Sequence, residues 1–76
     1  MKTVLEVLKG IRPEFDFTTS EDFITDGMLD SFDLITLISE LDECYGISIS
    51  GTDILPDNVK SIAAITRLLQ KYGVAP

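Results

Sequence analysis

The chain has 76 residues, with thirteen acidic and six basic side chains for a formal net charge of -7, no histidine and one cysteine. A chain this short buries only about 60% of the surface that its unfolded form exposes, so one small domain without a deep substrate cavity is expected. Histidine acid-base chemistry is excluded, and the lone Cys44 can form neither an internal disulfide nor a Cys-His nucleophile or zinc pair.

The acidic excess disfavours nucleic acid and anionic lipid, which are bound through Lys and Arg. Hydrophobic residues at 45% and charged residues at 25% describe a folded domain rather than a disordered one. No window approaches the roughly 20 apolar residues needed to cross a bilayer, and MKTVLEVLKGIRPEF has no continuous apolar signal core, so a cytoplasmic location is expected. No basic residue lies between Arg12 and Lys60, and every acidic residue except Glu6 falls in that interval. Such segregation produces a field suited to steering positively charged protein surfaces, although a solvated acidic surface without a partner has the same pattern.

In chain order, Thr3 is a plausible N-cap for a first helix with Val4, Val7, Leu8 and Ile11 on one face, ended by Pro13. From Pro13 to Asp30 there is no sustained periodicity, only dispersed apolar residues and the breaker pair Asp26-Gly27, which predicts a long loop pinned to the core by its aromatics. A second helix starts at Asp30 or Ser31 and stops at Gly46. Its wheel gathers Leu34, Leu37, Ile38, Leu41 and Tyr45 into one buried stripe, with Cys44 at the edge as packing. Phe32 and Ile35 fall off that stripe, beside Ser39 and Glu43, and read as an apolar docking patch unless the preceding loop folds back over Phe32. A single helical turn is expected at Thr52 to Leu55, capped by Thr52 or Asp53 and ended by Pro56. The last helix is capped by Ser61, turns Ile62, Ile65, Leu69 and Tyr72 inward and Ala63, Arg67 and Lys71 outward, and ends at Gly73. The expected architecture is all-α: a small up-down bundle of three main helices plus a short helix in third position.

Ser31 lies in the first turn of the second helix, where unpaired backbone amides and the positive end of the dipole favour a phosphate. Asp30 offers a better N-cap oxygen, so Ser31 need not spend its hydroxyl on capping. No base adjoins it, so another enzyme must activate it if it reacts. From position alone, Ser31 is either part of a helix start or a site of modification.

The run DGMLDSFDLITLISELDECYGISIS resembles acyl and peptidyl carrier proteins, whose signature is an Asp-Ser-hydrophobic core at the start of the second helix, here Asp30-Ser31-Phe32. LPDNVKSIAAITRLL is similar to that family's third-helix loop and last helix, so the resemblance spans essentially the whole chain. It implies a non-enzymatic carrier with a 4'-phosphopantetheine arm, transferred from coenzyme A by a phosphopantetheinyl transferase to Ser31, next to Asp30. An acyl or aminoacyl cargo then rides as a thioester and is delivered to acyl-processing enzymes of a biosynthetic pathway. By position, the resemblance places partner docking on Phe32, Asp33, Ile35, Ser39 and Glu40. Thr36 departs from the family, which commonly has an acid there, and this puts a fatty-acid-synthase contact in doubt. DGMLDS and LPDNVKSIAAI look more like D-alanyl and peptidyl-type carriers, loaded by adenylate-forming ligases. A polyketide or specialised fatty-acyl carrier, loaded by an acyltransferase, is the alternative and would need a groove between the second and last helices. The start at Met1 and the lack of long linkers lead to the expectation of a free-standing, monomeric carrier.

Two other classes compete. Setting Gly27 sixth in a calcium loop places Asp22, Asp26, Asp30 and Asp33 at positions one, five, nine and twelve, but Ile24 occupies position three and position twelve lacks the usual Glu. A helical adaptor would dock through Phe32 and Ile35 and carry nothing, with Ser31 serving only at the helix start.

Overall fold

Each helix begins where a local side chain satisfies otherwise unpaired amides. The structure, a computed structural model, describes residues 3–75. Thr3 and Glu6 form a reciprocal capping box that opens α1 (Val4–Ile11), which stops at Arg12, the residue that Pro13 restricts to extended backbone. α2 (Ser31–Tyr45) opens on Asp30 and closes on Gly46, whose φ of 65° is the left-handed conformation a helix end requires. The amides of Gly46 and Ile47 turn back to the Asp42 carbonyl, and the Asp42 carboxylate accepts from Ile49 N at 2.9 Å, aiming the following segment. α4 (Ile62–Lys71) is capped by Ser61, which accepts from Ala64 N at 3.0 Å.

The minor helix differs from expectation. The segment Thr52 to Leu55 is not a helical turn ended by Pro56; a 3₁₀ turn covers Gly51–Asp53, capped by Ser50, and Pro56 opens α3 (Pro56–Val59). Proline suits a first helical position because its fixed φ is already helical and its missing N–H would have no partner there. Among the described residues there are no strands, so the chain is all-α as its periodicity predicts.

α1 packs against both α2 and α4. Val4, Val7 and Leu8 meet Leu37, Ile38 and Leu41 of α2 and Ile65, Leu68 and Leu69 of α4 in one buried cluster. Leu68 joins the core beyond the expected stripe, whereas Ile11, Leu34, Tyr45, Ile62 and Tyr72 are half-buried at its margin, where Cys44 also packs.

The Pro13 to Asp30 connection is fastened by its aromatics. Phe17 and Phe23 are both 0% exposed and meet edge to face at a centroid distance of 4.9 Å. Phe23 N donates to the Lys60 carbonyl at 2.6 Å, and the Phe23 carbonyl accepts from Met28 N and Leu29 N. One residue thus joins the loop to the α3–α4 junction and delivers the chain to Asp30. At the far end, the Asp53 carboxylate accepts from Tyr72 Oη at 2.5 Å and Lys71 Nζ at 2.8 Å, and Tyr72 Oη accepts from Ser50 N.

Truncating a fully buried aromatic removes its apolar burial and leaves a cavity. Phe23→Ala is expected to lose about 3–5 kcal/mol in chemical denaturation, while Phe32→Ala, at a site 75% exposed, changes stability by less than about 0.5 kcal/mol. Equal losses would contradict this placement of the two rings.

Candidate functional site

The start of α2 is built by three side chains that leave Ser31 free of structural work. Asp30 Oδ1 accepts from Asp33 N at 2.9 Å, and Asp33 Oδ2 reaches back to accept from Asp30 N at 3.2 Å. This reciprocal box satisfies the cap, as the sequence expectation for Asp30 requires. Ser31, the first helical residue, is exposed, and among the described residues its hydroxyl has no hydrogen-bond partner. The amides of Ser31 and Phe32 likewise donate to no acceptor among the described residues. An exposed hydroxyl beside two unpaired amides at the positive end of a 15-residue helix fits a phosphate ester.

Arg12 reaches the box from the end of α1. Its Nε and Nη2 donate to Asp33 Oδ2 at 2.9 and 2.8 Å, while Asp30 Oδ2 and Glu14 Oε2 lie 3.7 Å from Nη2 and Nη1. Burial opposes ionisation of Asp33, but the Arg12 hydrogen bond, the Asp30 amide and the guanidinium charge outweigh it and hold the carboxyl below its usual range. Asp33 raises the Arg12 guanidinium further above its ordinary value through the same hydrogen bond and its charge.

Asp33 therefore departs from its expected place on the docking surface. The residue is 7% exposed and its carboxylate faces Arg12, because an N3 acid that closes a capping box must turn back over the helix start. The other expected docking residues lie outward: Phe32 is 75% and Ile35 67% exposed, and Ser39 and Glu40 are also exposed. The preceding loop does not cover Phe32, since its own aromatics turn inward on Phe17 and Phe23. Thr36 is half-buried and its hydroxyl donates to the Phe32 carbonyl at 3.3 Å. Beside this face, Val7, Gly10 and Ile11 of α1 and Phe32, Asp33, Thr36 and Glu40 of α2 line a groove of about 420 Å³.

Arg12 is the site residue that sequence reasoning did not single out. The available signal was its position as the last cation before the acidic interval, immediately ahead of a proline that ends the helix. The carboxylates of the candidate calcium loop have separate tasks: Asp22 caps the turn at Ile24 and Thr25, Asp26 accepts from Ser20, and Asp30 and Asp33 cap α2. Among the described residues no group of three or more His, Cys, Asp and Glu is arranged to hold a metal ion, and no helix is long and apolar enough to cross a membrane.

Comparison with family models places residues 1–69 in the family described as phosphopantetheine attachment site, so the chain belongs to the phosphopantetheine-binding carrier proteins. It is a carrier of 4'-phosphopantetheine, and carriers of this family work with phosphopantetheinyl transferases and with catalytic enzymes. No curated protein and no solved structure matches the chain.

Asp33 supplies a pH test. Its folded-state value is depressed, so its contribution is present above the unfolded value of about 3.9 and is lost as pH falls through that value and below it. In urea denaturation across pH 2 to 7, Asp33→Asn should be less stable than wild type at neutral pH and should lose less on acidification. Parallel profiles for the two proteins would refute the role of the Arg12 to Asp33 pair.

Proposed function

We propose that Ser31 is the attachment residue and that the chain is an aminoacyl- or peptidyl-type carrier loaded by an adenylate-forming ligase. The observation that carries the attachment is the unpartnered, exposed Ser31 hydroxyl at a helix start whose capping is done by Asp30 and Asp33. The chain offers no histidine, and its nearest carboxylates are engaged by amides and by Arg12, so the transferase must take the hydroxyl proton. Phosphate on this oxygen sits against the Ser31 and Phe32 amides, which orients the start of the arm away from the helix axis.

Delivery then rests on a small contact. Phe32, Ile35, Ser39 and Glu40 form the docking face, with the rings and branches making brief apolar contact and Glu40 adding charge at one edge. A carrier must leave each enzyme as readily as it arrives, and a patch of this size suits that requirement. Tethering raises the effective concentration of cargo at each active site without demanding tight docking. The subtype reading is supported by DGMLDS before the helix, by LPDNVKSIAAI after it, and by Thr36 where an acid would mark the fatty-acid contact.

Intact-mass measurement after incubation with coenzyme A, Mg²⁺ and a broad-specificity phosphopantetheinyl transferase tests the attachment. Wild type should gain one phosphopantetheine and Ser31→Ala none, with Ser31→Ala keeping its stability to within about 0.5 kcal/mol because the hydroxyl makes no bond to lose. Gain on Ser31→Ala would refute the site; no gain on folded wild type would favour the adaptor reading. Aminoacyl-loaded protein recovered from cells supports the subtype, and long saturated chains alone would replace it with a fatty-acyl carrier.

A further inference from the structure

We propose that Arg12 is a specificity-determining residue of the Ser31 site: by binding Asp33 and lying beside Asp30 and Glu14, it lowers the negative charge that the helix start presents to a cationic partner. Partners would then engage the neighbouring face mainly through an apolar recess for Phe32 and Ile35. The inference rests on the reading of Ser31 as the attachment residue.

The chain as a whole is strongly acidic, and α2 and its approach hold most of the acid. Around Ser31 the carboxylates gather about one cation. Asp33 is buried under two guanidinium donors, the exposed Asp30 and Glu14 carboxylates lie 3.7 Å from the same group, and the exposed side chains of α2 from Phe32 to Ser39 are Phe32, Ile35 and Ser39. The first exposed acid on α2 is Glu40, more than two turns from Ser31. The Arg12 side chain is 36% exposed, so its charge also acts outward, toward an approaching enzyme. Any enzyme that handles the phosphates of coenzyme A carries cations near its site. Unpaired carboxylates at the start of α2 would attract those cations, and Arg12 weakens that attraction by offsetting one of the three negative charges gathered there.

The test is the salt dependence of phosphopantetheine transfer, read as KM and kcat for wild type, Arg12→Gln and Arg12→Lys with the broad-specificity transferase. Salt is varied from about 0.1 to about 1 M, over which the screening length shrinks from about 10 to about 3 Å. Arg12→Gln should show a KM about two- to fivefold below wild type at low salt, the range of an exposed ion pair, with the difference gone at high salt. Arg12→Lys loses the two-donor grip on Asp33 but keeps the charge, so it should melt lower than wild type while retaining the wild-type salt slope. Should Arg12→Gln not fold, Glu14→Gln, at a solvent-exposed site, leaves Arg12 less neutralised and should raise KM at low salt by a similar factor. Wild-type slopes in every variant, or slopes that shift equally in Arg12→Gln and Arg12→Lys, would reduce Arg12 to a structural residue and overturn the proposal. Wild-type protein that acquires no phosphopantetheine would overturn the Ser31 reading and this proposal together, and is distinguishable because the other failures leave loading intact.

Discussion

A carboxylate that is nearly buried stays charged only if a cation and hydrogen-bond donors hold it, and Asp33 has both in Arg12 and the Asp30 amide. That one oxygen, Asp33 Oδ2, collects the end of α1 and the start of α2 at a single point. It completes the cap that Asp30 begins, and a cap closed by Asp30 and Asp33 leaves the Ser31 hydroxyl without structural work. Without Arg12, Asp33 would have to move outward or take up a proton, and the reciprocal box that relieves Ser31 of capping would open.

The apolar side of the same arrangement lies in the connection from Pro13 to Asp30. A chain of this size has few residues with which to build a core, and it recruits Phe17, Phe23, Met28 and Leu29 from a segment without a long helix. The loop is therefore part of the core and not a cover over the site. Its inward aromatics explain why Phe32 remains outside: the positions that could have covered it are spent beneath.

Helix starts and stops were legible because their determinants are local. Thr3, Asp30 and Ser61 each cap within three residues, and Gly46 and Gly73 take the left-handed conformation next to the last turns. The failure at Pro56 is also local in origin: proline both ends helices and opens them, and only the extended backbone at Leu55 decides between the two. The place of Asp33 was not legible for a different reason: the resemblance sets it beside the site, but the partner that holds its carboxylate lies 21 residues earlier, beyond any periodic pattern. Residues at the rim of the buried stripe, such as Ile11 and Leu34, are half-covered because the turns of a short bundle leave its ends open.

The clasp of Asp53, Lys71 and Tyr72 gives the molecule a hierarchy of rigidity. Around it the segment from Ser50 to Asn58 buries no side chain fully, exposes Leu55, rests half-buried Ile54 against the core and is tied to the end of α4 by polar contacts. With little apolar area buried, it has less to lose on local opening than the helices around the core. The α1–α2 corner, by contrast, is closed by Arg12 and lies in a fold whose Phe17 and Phe23 are fully buried. Among the described residues the loop before α3 makes no hydrogen bond to Asp30, Ser31 or Asp33, so it can shift without breaking the cap of α2.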